Sequence, residues 1–328
     1  MIDLSPFPRI KLAQLPTPLQ PLKRLSALLD GPTIWIKRDD CTGLALGGNK
    51  TRKLEFLMGE AQHQQAELIV TFGAVQSNHV RQTVAACAQL GFPCEPILSR
   101  SVDFDEDSYR LSGNLFLDQL LGATIHQVNP EDVKVTFRAL LDRESRRVYA
   151  IPAGGSNATG SLGYVDCARE ISAQVDNLGI EIKTLVHATS SAGTQAGLIV
   201  GMANETRPIP ILGINVYDAK ADHMESKVRQ LATDVADKVG SAPIPDNLIQ
   251  LNHEHRGPGY GLPTPAMIEA VTLVAQQEGV LLDPVYSGKA MAALIAMIRA
   301  GTWHRDDHVM FLHTGGNPAL FAYHSIFQ

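Results

Sequence analysis

Lys50 has the neighbours a reactive lysine needs. It closes the run Leu46-Gly47-Gly48-Asn49-Lys50 and opens the run Thr51-Arg52-Lys53-Leu54-Glu55. A strand over Thr33–Lys37 precedes it and a helix from Thr51 follows it. Two glycines free the backbone just before the lysine, and the helix fixes the root of its side chain. Loop-to-helix corners of this kind are where sites form. The chemistry offered is a Schiff base between the Lys50 amine and a carbonyl cofactor. The alternative is a solvated lysine with Arg52 and Lys53 on a basic helix start, since most lysines are exposed. Against it, three cations at a helix N-terminus oppose the macrodipole.

Three other stretches place polar groups where open α/β sheets bind ligands, at the carboxyl ends of strands. Gly73-Ala74-Val75-Gln76-Ser77-Asn78-His79 puts a hydroxyl, an amide and an imidazole at a helix start; an N-cap by Ser77 or Asn78 is the plain structural reading. Thr189-Ser190-Ser191-Ala192-Gly193-Thr194 brings small residues, amides and hydroxyls to another helix start, an arrangement that favours a phosphate. Asp283-Pro284-Val285-Tyr286-Ser287-Gly288-Lys289, with His313-Thr314-Gly315-Gly316-Asn317, offers Tyr286 against a flat ring and the hydroxyls of Ser287 and Thr314 as neutral hydrogen-bond partners. Neither a Walker loop nor a well-placed Gly-x-Gly-x-x-Gly is present, which argues against a nucleotide or dinucleotide module. The groups His253-Glu254-His255 and His304–His308 lack a third ligand at a recognisable spacing, so no metal site is expected.

These loops need a scaffold, and the chain supplies one by alternation. Strands are predicted at Leu68–Phe72, Glu95–Leu98, Thr124–Gln127, Val148–Ile151, Leu185–Ala188, Ile211–Val216 and His308–His313. Helices are predicted at Asn78–Leu90, Ser108–Leu120, Glu131–Arg146, Thr194–Met202, Ala221–Lys238, Ala266–Glu278 and Gly288–Ala300, with one more from the Gly154–Asn157 corner to about Val175. The first 32 residues read as an extended wrap with a short helix near Leu22–Leu29. The alternation predicts an α/β fold of parallel sheets covered by helices.

The 328 residues carry 45% hydrophobic and 19% charged side chains, an ordinary globular balance sufficient for two domains. A formal charge of −6 argues against a nucleic-acid partner. No stretch is apolar enough for a membrane span, and no secretory signal is visible at Met1–Pro6. Cys41, Cys87, Cys94 and Cys167 form no Cys-x-x-Cys pair. Free thiols in a reducing cytoplasm are therefore expected.

Taken together, Gly47–Glu55, Gln76-Ser77-Asn78-His79-Val80-Arg81-Gln82, Ser191–Gly197, Leu282–Lys289 and His313–Gly316 resemble the D-cysteine desulfhydrase / 1-aminocyclopropane-1-carboxylate deaminase family, which includes L-cysteate sulfo-lyases. Five motifs in order, over about Phe7 to Tyr323, carry the resemblance. It implies a type II pyridoxal phosphate fold, like the tryptophan synthase β chain: two domains with parallel-rich twisted sheets, 1–54 plus 161–328 as the larger and 55–160 as a smaller insertion. It implies that Lys50 attaches the cofactor, with Asn49, Asn78, Ser191, Ala192, Gly193, Thr194, Tyr286, Ser287 and Thr314 around it. Ser77 and Tyr286 join Lys50 as catalytic residues, and Ser77, Asn78, His79 and Tyr260 face a small amino-acid substrate. A homodimer is implied as well.

Two positions separate the branches. Cyclopropane-acid deaminases resemble Asp-Pro-Val-Tyr-Glu-Gly-Lys and His-Leu-Gly-Gly, whereas this chain has Ser287 and Thr314 there. A hydroxyl cannot keep a pyridine nitrogen charged as a carboxylate does, so a carbanion is less stabilised at the ring. Elimination tolerates this, because a β-sulfur group departs as the α-proton is lost. The expectation is a carbon–sulfur lyase releasing pyruvate and ammonia with sulfide or sulfite. The rivals are a cyclopropane-acid deaminase and a catalytically silent cofactor-binding protein.

Overall fold

A computed structural model describes residues 2–104 and 106–328. The elements follow in the order β1 (Leu19–Pro21), α1 (Lys23–Leu29), β2 (Thr33–Arg38), α2 (Lys50–His63), β3 (Leu68–Ala74), α3 (Asn78–Leu90) and β4 (Cys94–Ser99). Next come α4 (Asp107–Leu111), α5 (Gly113–Leu120), β5 (His126–Val128), α6 (Val133–Arg143), β6 (Val148–Ile151), α7 (Ala158–Leu178), β7 (Ile182–Thr189) and α8 (Gly193–Ala203). The chain ends with β8 (Ile211–Asn215), α9 (Ala221–Val239), β9 (Gln250–Asn252), α10 (Pro265–Glu278), α11 (Ser287–Arg299), β10 (His308–His313) and α12 (Ala319–Ala322).

The strands form two sheets. The larger has the order β1-β2-β10-β7-β8-β9, and the smaller β5-β4-β3-β6. Only β1 runs antiparallel to its neighbour. All strands of the smaller sheet lie between residues 68 and 151; those of the larger lie outside that range. The alternation of β10 shows why the larger sheet is covered on both faces. Met310 and Leu312 enter one apolar cluster with Val165 of α7, Leu198 of α8 and Val228 of α9. Val309 and Phe311 enter another with Leu25 of α1, Val271 of α10 and Leu294 of α11. A strand buried on both sides is apolar along its buried length, as β10 is from Val309 to Leu312.

Helix α2 joins the two sheets. Its Leu54, Leu57, Met58 and Ala61 pack with Val80 and Val84 of α3, while its Phe56 packs with α7 and α8. Its charges are buried with its apolar residues. The Arg52 guanidinium donates to both oxygens of Asp39 at 2.8 and 2.9 Å and to Glu170 at 3.0 and 2.9 Å. Tyr164 and Thr17 also donate to Asp39, at 2.6 and 2.8 Å. Lys37 pairs with Glu170 from the other side. Glu55 accepts the amides of Leu12 and Ala13 at 2.8 Å each, which pins the amino-terminal wrap to the helix.

The structure departs from the pattern reading in small, explicable ways. The helix expected over Ser108–Leu120 breaks at Gly113, which adopts φ 62°. The break lets the Asn114 amide donate to the Gln76 side chain at 2.8 Å. Strands β1 and β9 are three-residue edges, too short to show an alternation. The expected Glu131 start of a helix is a 3-10 turn over Pro130–Asp132, and α6 follows it.

Replacing Arg52 by Ala leaves the buried Asp39 carboxylate without its bidentate partner. The expected cost is about 3–5 kcal/mol, read as a lower urea midpoint at unchanged slope. A midpoint within error of the parent protein would refute the assignment.

Candidate active site

Lys50 opens α2 at the carboxyl end of the larger sheet. The chain reaches it through Gly47 at φ 68° and Gly48 at φ 131°. At Gly47 a Cβ would lie 2.0 Å from the Asp40 carbonyl oxygen, so the close approach of this loop needs glycine. The Lys50 amine donates to the Asn49 side-chain oxygen at 2.9 Å. The Asn49 amide nitrogen donates in turn to Thr194 Oγ1 at 3.0 Å. One asparagine thus ties the lysine to the start of α8. Burial pushes the Lys50 amine down to about 8, against the pull of the Asp283 carboxylate.

The lysine borders a cavity of about 490 Å3. Asn49, Ser77, Asn78, His79, Ser191, Ala192, Thr194, Tyr260, Tyr286 and Thr314 all line it. Ser77 caps α3, accepting the Val80 amide at 3.2 Å, and also faces the cavity. Asn78 is fixed through its side-chain oxygen, which accepts from Asn114 at 2.8 Å. His79 Nε2 lies 2.8 Å from Thr71 Oγ1, whose own proton goes to the Ile151 carbonyl at 3.0 Å. The imidazole proton is therefore on Nε2. Burial and the nearby lysines hold this ring well below its usual pKa, so it is neutral.

Ser287 needs correction. It is buried and absent from the cavity wall. Its hydroxyl donates to Asp283 at 2.6 Å and accepts the Asp283 amide at 2.8 Å. The Asp283 carboxylate also takes the amides of Val285, Tyr286 and Ser287 at 2.7–2.9 Å. Ser287 therefore shapes the turn that presents Tyr286, and the neutral hydroxyl at the wall is that of Thr314. Tyr286 shares a hydrogen bond between phenol oxygens with Tyr260, and burial raises both phenols above their ordinary range.

The other end of the cavity, lined by Gly154, Ser191, Ala192 and Thr194, suits an anion; Gly193 and Lys53 lie buried just behind that wall and are not part of its lining. Helix α8 starts after Ala192, which sits at φ 71° and offers no side-chain cap to the first-turn amides. A Cβ on Gly193 would lie 2.6 Å from Ser156 Oγ and 2.7 Å from Lys53 Nζ. Lys53 is fully buried. Its amine donates to the Gly154 carbonyl and Ser156 Oγ at 3.1 and 3.0 Å. No carboxylate faces it among the described residues; burial first, then Lys50 and Lys227, hold its pKa well below the usual lysine value. An uncapped helix start beside a buried amine with no carboxylate fits a phosphate, whose charge would favour the protonated amine.

Lys53, Ser156, Lys134 and Lys227 were missed as site residues by sequence reasoning. Lys53 lies three residues after Lys50, on the same face of a helix, so its signal was present. Lys134 and Lys227 sit inside ordinary polar helices and carry no such signal.

The aldehyde-reactive amine and the phosphate cup together suit a phosphorylated carbonyl cofactor. The family profile described as "Pyridoxal-phosphate dependent enzyme" matches residues 10–315, and the chain belongs to that family. Pyridoxal phosphate is its cofactor. Among curated relatives, D-cysteine desulfhydrase of Serratia proteamaculans is 43% identical over 98% of this chain and 97% of its own. D-cysteine desulfhydrase of Salmonella schwarzengrund is 43% identical over 98% of each. A solved structure described as an ACC deaminase homologue superposes with a TM-score of 0.87 at 34% identity, covering 99% of this chain and 96% of that one.

Two outcomes follow. Lys53→Met should weaken pyridoxal phosphate binding to the apo-protein by about 10- to 100-fold and leave binding of unphosphorylated pyridoxal unchanged. Equal losses for both would remove Lys53 from the phosphate cup. Attachment requires the neutral Lys50 amine, so its rate should climb about tenfold per pH unit from about pH 6 and level off above about 8. Stopped-flow absorbance reads this, and a flat profile would contradict it.

Proposed function

We propose that the protein is a pyridoxal phosphate-dependent carbon–sulfur lyase. It splits D-cysteine to pyruvate, ammonia and sulfide. The observation that carries the reading is the cavity itself, with Thr314 at its wall and Ser287 withdrawn into a turn, in a chain 43% identical to desulfhydrases along its whole length.

The bound cofactor supplies the electron sink that makes the substrate's α-proton acidic. Ser77 and Asn78 hold the substrate carboxylate at the start of α3. The Lys50 amine, about half neutral near pH 8, removes the α-proton. Thr314 would offer the ring of the bound cofactor a neutral hydrogen bond in place of a carboxylate, which suits prompt loss of the β-sulfur group. The Tyr260–Tyr286 pair keeps both phenols protonated and can give a proton to the departing sulfur.

L-cysteate is the second reading. It is favoured by a wall that includes Lys50, Lys134 and Lys227 and no aspartate or glutamate among the described residues. The two sheets support a division into a larger lobe, 1–54 with 161–328, and a smaller one, 55–160. Exposed Leu111, Phe116 and Leu120, beside Phe321 on α12, are suited to burial in a homodimer. No helix among the described residues is long and apolar enough to cross a membrane. The free thiols suit a reducing cytoplasm.

The deciding assay sets D-cysteine, L-cysteate and 1-aminocyclopropane-1-carboxylate side by side and follows sulfide, sulfite, pyruvate and 2-oxobutyrate. Sulfide with pyruvate is expected from D-cysteine, falling by about a thousandfold or more in Lys50→Ala. 2-Oxobutyrate as the main product, or full activity in that variant, would overturn the reading.

A further inference from the structure

The wall of the 490 Å3 cavity extends well past the residues that hold the cofactor and a three-carbon substrate. Its remaining part comes from the ends of β3 and β4 and the first turn of α6. Phe72, Ile97, Pro130 and Val133 make it apolar, Ser99 adds a hydroxyl, and Lys134 stands exposed at its rim. Nothing in the removal of sulfide from cysteine requires such a surface. Ile97 is buried, Phe72 and Val133 are half-buried and Pro130 is exposed, and an apolar wall open to a ligand cavity marks where an apolar group is received.

Two further observations define that group. The first is charge. The cavity wall holds three lysines and no carboxylate among the described residues, in a chain of formal charge −6. Positive charge is concentrated there against the sign of the whole molecule, and a cleft of one sign draws oppositely charged ligands. The second is the looseness of the wall. Of the eleven residues of α6, only Leu140 is fully buried. The helix rests on the smallest of the apolar clusters, formed by Leu68, Val70, Ile97 and Leu140 with Phe72, Val133 and Phe137 against them. Phe72 meets Phe137 edge-on at 5.1 Å. An element so lightly held yields to groups of different size.

We propose that this part of the cavity receives the sulfur substituent of S-substituted cysteines whose short alkyl chain ends in a carboxylate. The inference rests on the carbon–sulfur lyase reading and extends it to a second substrate class. The alkyl chain lies along Phe72, Ile97 and Val133, and the terminal carboxylate meets Lys134. The reaction balances without an oxidant. Lys50 takes the α-proton, the Cβ–S bond breaks, and its electron pair leaves with the thiolate, which gains a proton. Water then releases pyruvate and ammonia from the three-carbon remainder, one water being consumed per thiol formed.

The test uses the holoenzyme with S-(2-carboxyethyl)cysteine, S-propylcysteine and cysteine, all in the enantiomer accepted for cysteine. Free thiol and pyruvate are measured. Wild type should release both from the carboxyethyl compound. Val133→Trp should lower kcat/KM for it by at least about tenfold and change cysteine turnover by less than about twofold. Val133→Ala should raise it. Lys134→Gln should raise KM for the carboxyethyl compound by about threefold and leave S-propylcysteine unaffected. Absence of thiol from S-substituted substrates in an enzyme that turns over cysteine would overturn the inference alone. So would equal losses for both substrates in Val133→Trp. Failure to turn over cysteine would instead overturn the lyase reading beneath it.

Discussion

Helix α2 begins with three basic residues, of which Arg52 and Lys53 are fully buried and Lys50 borders the cavity. A helix N-terminus repels positive charge, and burial multiplies the cost. Arg52 is compensated inside the protein by Asp39 and Glu170. Lys53 is fully buried with only neutral acceptors, and Lys50 has a side-chain amide as its hydrogen-bond partner. Without a ligand, burial holds both lysine amines below their usual pKa, so an anion that restores the Lys53 proton is favoured there. The direction of that demand is set by the helix. Residues 50 and 53 share a face and point toward the uncapped start of α8 through Asn49 and Ser156.

The remaining architecture can be understood as support for this arrangement. The Arg52 network ties α2 to β2, α7 and the amino-terminal wrap at once, so the root of Lys50 is immobilised by residues that never touch the cavity. Asp283 does the same across the site, spending both oxygens on a turn that presents Tyr286. Asn114 and Thr71 lock Asn78 and His79 into single orientations. Lys50, Asn78 and His79 are thus each backed by a hydrogen bond with a second side chain. This is the condition under which a site keeps its geometry during turnover.

Much of this was legible in the chain. Strands buried on both faces carry short apolar runs, such as Leu68–Val70, Leu185-Val186 and Val309–Leu312, and these made β3, β7 and β10 visible. Glycine-rich strand ends marked the four loops that meet at the cavity. What the pattern could not carry were contacts between segments distant in sequence. Ser287 looked like a ring partner because its hydroxyl stands where the deaminases carry a glutamate, but the turn closed by Asp283 faces it inward. Lys53 looked like a solvated neighbour because nothing local announces its burial. The break at Gly113 depends on Gln76, 37 positions earlier, which no local periodicity reports.

The account depends on a single molecule bridging the Lys50 amine and the amides at the start of α8. Diffraction from crystals of the protein grown with pyridoxal phosphate tests that most directly. The account predicts continuous density from Lys50 Nζ to a phosphate held by Gly193, Thr194 and Lys53. A phosphate elsewhere, or a Lys50 amine with no density joined to it while the cofactor is bound, would contradict it.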